Sequence, residues 1–389
     1  MLRDFTPQSI FTGLLAAFVG FASSFAVVLQ GLRAVGASEA EAASGLMAAA
    51  IAMGLCGIVL SLRTKMPVSV AWSTPGAALL AISGGSDGGF SAAVGAFLIC
   101  AVLIVLSGLW RPFGKAVEAI PDSLANAMLA GILMSLCLAP FKAIAFNPMF
   151  GLPILLAWVL GNRLNKFFGV PAALLAFIGV MIFGVDLPIG WQDKLLSSAV
   201  PAPVFVMPTF GLESILGIAL PLFVVTMASQ NIPGLAVLRA NKFETRSAPL
   251  LWTTGLFSGV FAVFGSHAVN LAAITAAMLA GEDGGEDASK RYTGAIVCGI
   301  FYVIFGLFAG VVTAFVSLAP AILIEAVAGL ALIGAFSVAV LGAFHNEVQR
   351  PAAAVTFMAS ASGITLFGIS GAFWGLVAGA IMLTLLRRT

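Results

Sequence analysis

The sequence predicts an all-α polytopic membrane protein with 14 transmembrane segments, built as two inverted seven-span repeats. Three observations predict it. Apolar types fill 61% of the 389 positions, and Asp, Glu, Lys and Arg fill only 9%. A soluble domain carries roughly 25% charge and needs a polar outer layer, so lipid must be the solvent for most of this chain. Basic residues cluster between alternate apolar runs, and a polar, proline-rich stretch from Asp186 to Pro208 separates seven runs from seven. The 43 glycines suit helices that pack closely in a membrane.

A helix needs roughly 20 apolar residues to cross the hydrocarbon core. On that measure the first seven runs lie near 9–32, 40–61, 67–82, 90–110, 121–139, 150–162 and 170–186. The second seven lie near 211–237, 248–264, 266–281, 290–317, 320–343, 350–366 and 369–386. Arg3 precedes the first run as in a signal peptide, but the run from Ser9 to Leu32 is long enough to span and reads as the first crossing. With the N-terminus inside, 15 of the 18 basic residues are cytoplasmic: Arg3, Arg63, Lys65, Arg111, Lys115, Arg163, Lys166, Arg239, Lys242, Arg246, Lys290, Arg291, Arg350, Arg387 and Arg388. Only Arg33, Lys142 and Lys194 fall outside. A miscounted span would reverse the side of every later loop, so this bias supports both the count and two cytoplasmic termini.

Seven is odd, so equivalent spans of the halves 1–200 and 201–389 cross in opposite directions, as in secondary transporters. The segment from Pro67 to Ala81 aligns without gaps to that from Ser266 to Ala280, sharing Ala-Ala-(Leu/Met)-Leu-Ala and a valine at Val70 and Val269. Both are third spans of their halves. Both are short and begin with an extended run, Val68 to Trp72 and His267 to Leu271, before turning helical. Pro75 suits the first turn of a helix, where its missing N–H costs nothing. Non-helical backbone at membrane depth survives only where protein or a cavity satisfies it. Two such breaks, beginning near Gly76 and Thr275, would aim helix N-termini at one midplane cavity that favours an anion or an acceptor-rich substrate.

Polar residues inside spans are costly and therefore informative. The richest cluster, Thr226 to Gly234, places Gln230 and Asn231 mid-span ahead of a Pro233-Gly234 break. Ser23 and Ser24 occupy the matching depth of the first span, where interhelical glue is the competing reading. Trp72, Ser73, Thr74 and Asn270 flank the two extended runs. His267 titrates near neutrality and is a candidate proton relay, against a plain hydrogen-bonded histidine. Glu325 is the one carboxylate well inside an apolar run and is a second proton candidate. His345, in a polar loop, reads as solvated, and Glu213 as interfacial. Cys56, Cys100, Cys137 and Cys298 lack paired spacing and read as packing residues. No catalytic constellation, metal set, cofactor motif or nucleic-acid signature occurs, which argues against an enzyme.

These residues resemble a known family. The broken third and tenth spans of a seven-plus-seven repeat are similar to the fold shared by nucleobase, ascorbate and sulfate-type anion transporters. Pro67 to Gly76, Met227 to Arg239 and Gly265 to Thr275 resemble the benzoate/proton symporter (BenE) family, most specifically in Ala228-Ser-Gln-Asn-Ile-Pro-Gly234. The resemblance covers essentially the whole chain. It implies a core domain of spans 1–4 and 8–11 (about 9–110 and 211–317) moving against a gate domain of spans 5–7 and 12–14 (about 121–186 and 320–386). It further implies a bacterial inner-membrane protein that imports benzoate or a related aromatic carboxylate with a proton. The substrate would contact Trp72, Ser73, Thr74, Gly76, Gln230, Asn231, Asn270 and Thr275, with Ser23 and Ser24 as secondary candidates. Nucleobase relatives carry an acidic residue near the position of Gln230; its absence here removes a charge that would repel an anion. A nucleobase or inorganic-anion carrier, and a gated anion channel, stay open as alternatives, as does a homo-oligomer.

Overall fold

The computed structural model describes residues 4–386 apart from 84–87, 111, 113–120, 166–167, 201, 273 and 367–368. Arg3, Arg111, Lys115, Lys166, Arg387 and Arg388 of the basic count, and Ala273 of the second extended segment, lie outside these described residues.

The first half opens with α1 (Pro7–Ala22), started by a capping box between Thr6 and Ser9. The helix stops at Ser23 and Ser24, where Ser24 leaves helical geometry (φ −149°), and resumes as α2 (Phe25–Ala34). α3 (Glu39–Thr64) starts from a second capping box, Ser38 with Glu41. The strand β1 (Val70–Trp72) and the short α4 (Thr74–Ser83) follow, then α5 (Gly89–Leu109). Next come α6 (Asp122–Cys137), α7 (Ala139–Phe146), α8 (Pro148–Leu164) and α9 (Gly169–Gly184).

The polar stretch between the halves holds a short helix, α10 (Trp191–Ser197), and an extended strap. Val204 N–H donates to Ser44 Oγ (2.8 Å), Val206 N–H to the Val263 carbonyl (2.8 Å) and Thr209 N–H to the Ser91 carbonyl (3.0 Å). The strap thus ties α3 and α5 to the second half.

In the second half a long helix, α11 (Leu212–Ala240), carries two π-helical turns, Ile215–Ala219 and Met227–Asn231. α12 (Ser247–Ala262), β2 (Val269–Leu271) and the seven-residue α13 (Ile274–Ala280) follow. The chain continues through α14 (Tyr292–Leu307), α15 (Ala309–Ser317), α16 (Ala321–Phe344) and α17 (Arg350–Ala361). A small hairpin, β3 (Thr365–Leu366) with β4 (Ile369–Ser370), precedes α18 (Gly371–Leu386).

Every apolar run holds helix, and the short run near 150–162 is the 17-residue α8. By length and composition, however, seven helical stretches among the described residues are long and apolar enough to cross a membrane. The others fall short for identifiable reasons. The third and tenth runs divide between strand and short helix, α8, α9, α12 and α18 stop at 16 or 17 residues, and α17 stops at 12.

One expectation is corrected outright: there is no break at Pro233-Gly234. α11 continues to Ala240, and the irregularity is the π-turn just before the proline. A proline clashes with the carbonyl four residues back, and that residue, Ser229, lies inside the wide turn. Pro221 repeats the arrangement, with Gly217 inside the first π-turn. A π-turn absorbs what would otherwise be a kink.

Helices of the two halves interleave: α3 packs on α14, α1 on α14, α5 on α12, and α6 on α16 and α17. Lipid offers no hydrophobic driving force between helices, so close backbone approach has to supply the attraction. Gly54 and Gly299 provide it reciprocally; a Cβ on either would stand 2.5 or 2.6 Å from the other's carbonyl oxygen.

Candidate functional site

The alternation Val-Ser-Val-Ala-Trp favours extended backbone, yet a lone strand in a membrane strands its own N–H and C=O groups. The protein solves this by pairing the two extended runs. β1 and β2 run antiparallel with Val70 opposite Leu271, Ala71 opposite Asn270 and Trp72 opposite Val269. Ser73 N–H to Ala268 O (2.9 Å) and Ala272 N–H to Ser69 O (3.0 Å) extend the ladder at both ends.

In an antiparallel pair, alternate residues point their backbone groups away from the partner strand. On β2 those residues are Val269 and Leu271, and side chains complete them. Ser258 Oγ accepts from Val269 N–H (2.9 Å) and lies 3.2 Å from its carbonyl. Asn231 Oδ1 accepts from Leu271 N–H (2.9 Å), and Asn270 Nδ2 donates to Leu271 O (2.9 Å).

The two arms are also cross-tied. His267 Nε2 lies 3.1 Å from Ser73 O, so it carries the ring proton and donates. Its Nδ1 is buried without a partner, and Phe97 stands edge-on at 6.4 Å. Ser69 and Thr275 share a hydroxyl–hydroxyl bond of 2.7 Å, as do Ser73 and Thr226. Ser73 also caps α4, accepting from Gly76 N–H at 3.1 Å. Trp72 Nε1 donates to Ser24 Oγ (2.8 Å), and the indole lies 5.3 Å from Phe21, which contacts Phe25 and Phe305 in turn.

The predicted site residues therefore converge, but in two classes. Trp72, Ser73, Gly76, Asn231, Asn270, Thr275, His267 and Ser24 are buried, and every polar side chain among them is bonded within the protein. Gln230, Thr74 and Ser23 are only half-buried. Among the described residues the Gln230 amide and the Thr74 hydroxyl make no hydrogen bond, and Ser23 donates only to Gly20 O (3.2 Å). These three are less enclosed than the bonded group. Gln230 and Asn231 look equivalent in sequence; the π-turn presents one outward and buries the other.

Glu325 stands on the second turn of α16, half-buried and without an ion pair or hydrogen bond among the described residues. α16 packs on α2, and α6 packs on both α4 and the second π-turn. Thr74 on α4 and Gln230 on the second π-turn thus belong to the elements that α6 packs against. Sequence reasoning passed over Ser69, Ser258 and Phe21. Ser69 was visible as the polar member of an alternating run; Ser258, an ordinary serine in a helix, gave no signal. The four cysteines are free and buried, as expected, and the described residues hold no group of three metal-ligating side chains. A cavity of about 380 Å³ lies apart from the crossing, at the Glu39–Lys194 pair.

Chemically, the crossing offers amide and hydroxyl donors beside aromatic rings, with no ionised group at its centre. That set suits an amphipathic ligand of low charge density.

Comparison with known proteins identifies the family. A family model described as BenE, benzoate membrane transport protein, matches residues 3–385. The inner membrane protein YdcO of Escherichia coli is 38% identical over 389 residues, covering 99% of this chain and 97% of that protein. The benzoate membrane transport protein of Acinetobacter baylyi is 32% identical over 382 residues, covering 97% and 95%. Among solved structures, the transmembrane domain of the cyanobacterial bicarbonate transporter BicA superposes with a TM-score of 0.63 at 18% identity, covering 98% of each chain. SLC26A9 gives 0.63 at 14% identity, covering 100% of this chain and 66% of that one. At such identities the likeness is one of fold.

Proposed function

Since the chain belongs to the BenE family of membrane transporters and is not an enzyme, we propose that it imports benzoate or a related aromatic carboxylate by proton symport. The observation that carries this reading is the half-buried, unbonded amide of Gln230 on the π-turn that packs against β2. Gln230, with Thr74 and Ser23, donates to the carboxylate; Phe21 and Phe305, backed by Trp72, take the ring. The positive end of the ten-residue α4 adds a favourable potential. α13, at seven residues, adds less.

The chain crosses the bacterial inner membrane fourteen times as two inverted repeats, with both termini in the cytoplasm. α1–α5 and α11–α15 form a core domain, and α6–α9 and α16–α18 a gate that rocks against it. Interleaved packing within each set and the basic-residue bias support this division. His267 serves as a tie between the arms, because protonating Nδ1 would bury a cation with no acceptor. Glu325, unpaired on the gate helix facing α2, then carries the coupling proton.

Labelled benzoate uptake into proteoliposomes, with and without an inward proton gradient, tests the reading; no uptake of any aromatic acid under either condition would refute it. Glu325→Gln is expected to abolish gradient-driven accumulation while leaving benzoate exchange intact. The likeness to BicA, titled a bicarbonate transporter, favours one other reading, an inorganic-anion carrier. Competition by bicarbonate and not by benzoate would establish it.

A further inference from the structure

We infer that Gln30 and Arg33 on α2 form a second, outer subsite that receives the substrate's carboxylate before it reaches the crossing. The inference rests on the aromatic-acid reading and on the orientation proposed with it.

Apart from Ala34 at its end, α2 is otherwise a buried helix: Phe25, Ala26, Val27, Val28, Leu29, Gly31 and Leu32 are all enclosed. Gln30 and Arg33 are only half-buried, as is Ser23 at the break below them. Positions three apart share a helix face, so Gln30 and Arg33 point the same way. Both hold a polar atom that is buried and unbonded, Gln30 Oε1 and Arg33 Nη2. No hydrogen bond fixes which end of the Gln30 amide faces inward, so the amide is free to present its donor. A guanidinium edge one turn from an amide donor suits a carboxylate, since arginine matches that group with paired donors.

The nearest acid does not occupy this arginine. Glu39 feels the charge of Arg33, but its ion pair is with Lys194 at 3.3 Å, and Lys194 also donates to Ser317 Oγ at 3.0 Å. α2 packs on both α4 and α16, so the helix that carries Gln30 and Arg33 lies at the junction between the proposed core and gate. At about 1.5 Å per residue, the path from Arg33 down to Ser23 covers roughly 15 Å, half the hydrocarbon core. The ordinary alternative is that Arg33, in the last turn of α2, merely complements the helix dipole.

Benzoate transport by oriented proteoliposomes, assayed from each face separately, distinguishes these. Arg33→Gln is expected to raise KM on the outer face about tenfold, with maximal rate within twofold, because a partly exposed charge-assisted hydrogen bond is lost. KM from the inner face should stay as in wild type. Arg33→Lys should recover part of the loss, and Gln30→Ala should raise the outer KM by about threefold. Unchanged outer KM in Arg33→Gln, or an equal rise on both faces, overturns the subsite. A lowered thermal midpoint with unaltered outer KM assigns Arg33 to the helix end alone and likewise overturns it. A wild type that moves no benzoate removes the substrate reading and this inference together; a wild type that does, beside an unaffected Arg33→Gln, removes only this one.

Discussion

The two arms of the crossing perform one task by different means. The first arm is largely self-sufficient. Ser73 ends β1, caps the ten-residue α4 and offers its carbonyl to both Ala77 N–H (2.8 Å) and His267 (3.1 Å). The second arm, with a seven-residue helix, is propped from outside: Ser258 on α12 and Asn231 on α11 complete the free edge of β2. His267 then leans back on the first arm. The lesson is a division of labour. Buried polar groups around the second arm maintain its backbone, and the groups proposed for recognition, Thr74 and Gln230, are ones that the scaffold does not use.

Five substitutions test that division, and the largest effect is expected where the arms are tied. His267→Ala removes the donor to Ser73 O and leaves a cavity, which should cost about 2–4 kcal/mol and transport with it. His267→Gln keeps a donor at nearly the same reach, so thermal unfolding should stay close to wild type and the pH dependence of uptake should persist. Loss of that dependence would move the proton from Glu325 to His267.

Asn231→Ala comes next. It orphans the buried Leu271 N–H, a loss of about 1–3 kcal/mol readable as a lowered thermal midpoint in detergent. Its neighbour sharpens the contrast. Gln230→Ala should leave the midpoint unchanged but weaken benzoate binding about tenfold, near 1.4 kcal/mol. Equal destabilisation by both would mean that the π-turn does not separate their roles. Ser24→Ala should have the smallest effect, about 1 kcal/mol or less, because Trp72 keeps its ring contacts when Nε1 loses its acceptor. Binding affinity for Ser24→Ala should stay nearer wild type than for Gln230→Ala or Asn231→Ala.

Much of this was legible in the sequence. Apolar runs locate the helices because lipid permits little else, and the alternation around Val68 to Trp72 marks a strand because no helix of that pattern keeps one face consistent. The resemblance to BenE matches the family the comparisons show. Within the candidate site, residue type pointed to side chains that the fold does bring around the paired strands, without sorting which of them the backbone uses. Nothing in Gln230-Asn231 says which amide is spent on Leu271, since that depends on the π-turn phase and on a strand some forty positions later. Pro233-Gly234 reads as a break because proline usually ends the helical ladder; a wide turn placed just before it is a tertiary solution that local propensity does not encode. Ser258 carried no signal at all, because its importance comes from Val269, eleven residues away across a turn.

The pairing of β1 with β2 also bears on how the protein is made. The strands lie about 200 residues apart, and synthesis at about 5–20 residues per second puts roughly 10–40 s between their emergence. Through that interval the first extended run has no partner, and bilayer lipid cannot supply one. Residues 67–73 must therefore wait in a sheltered place, at the membrane surface or beside the insertion machinery, until the second half arrives. The crossing then closes late, as the step that joins two inserted halves into one transporter.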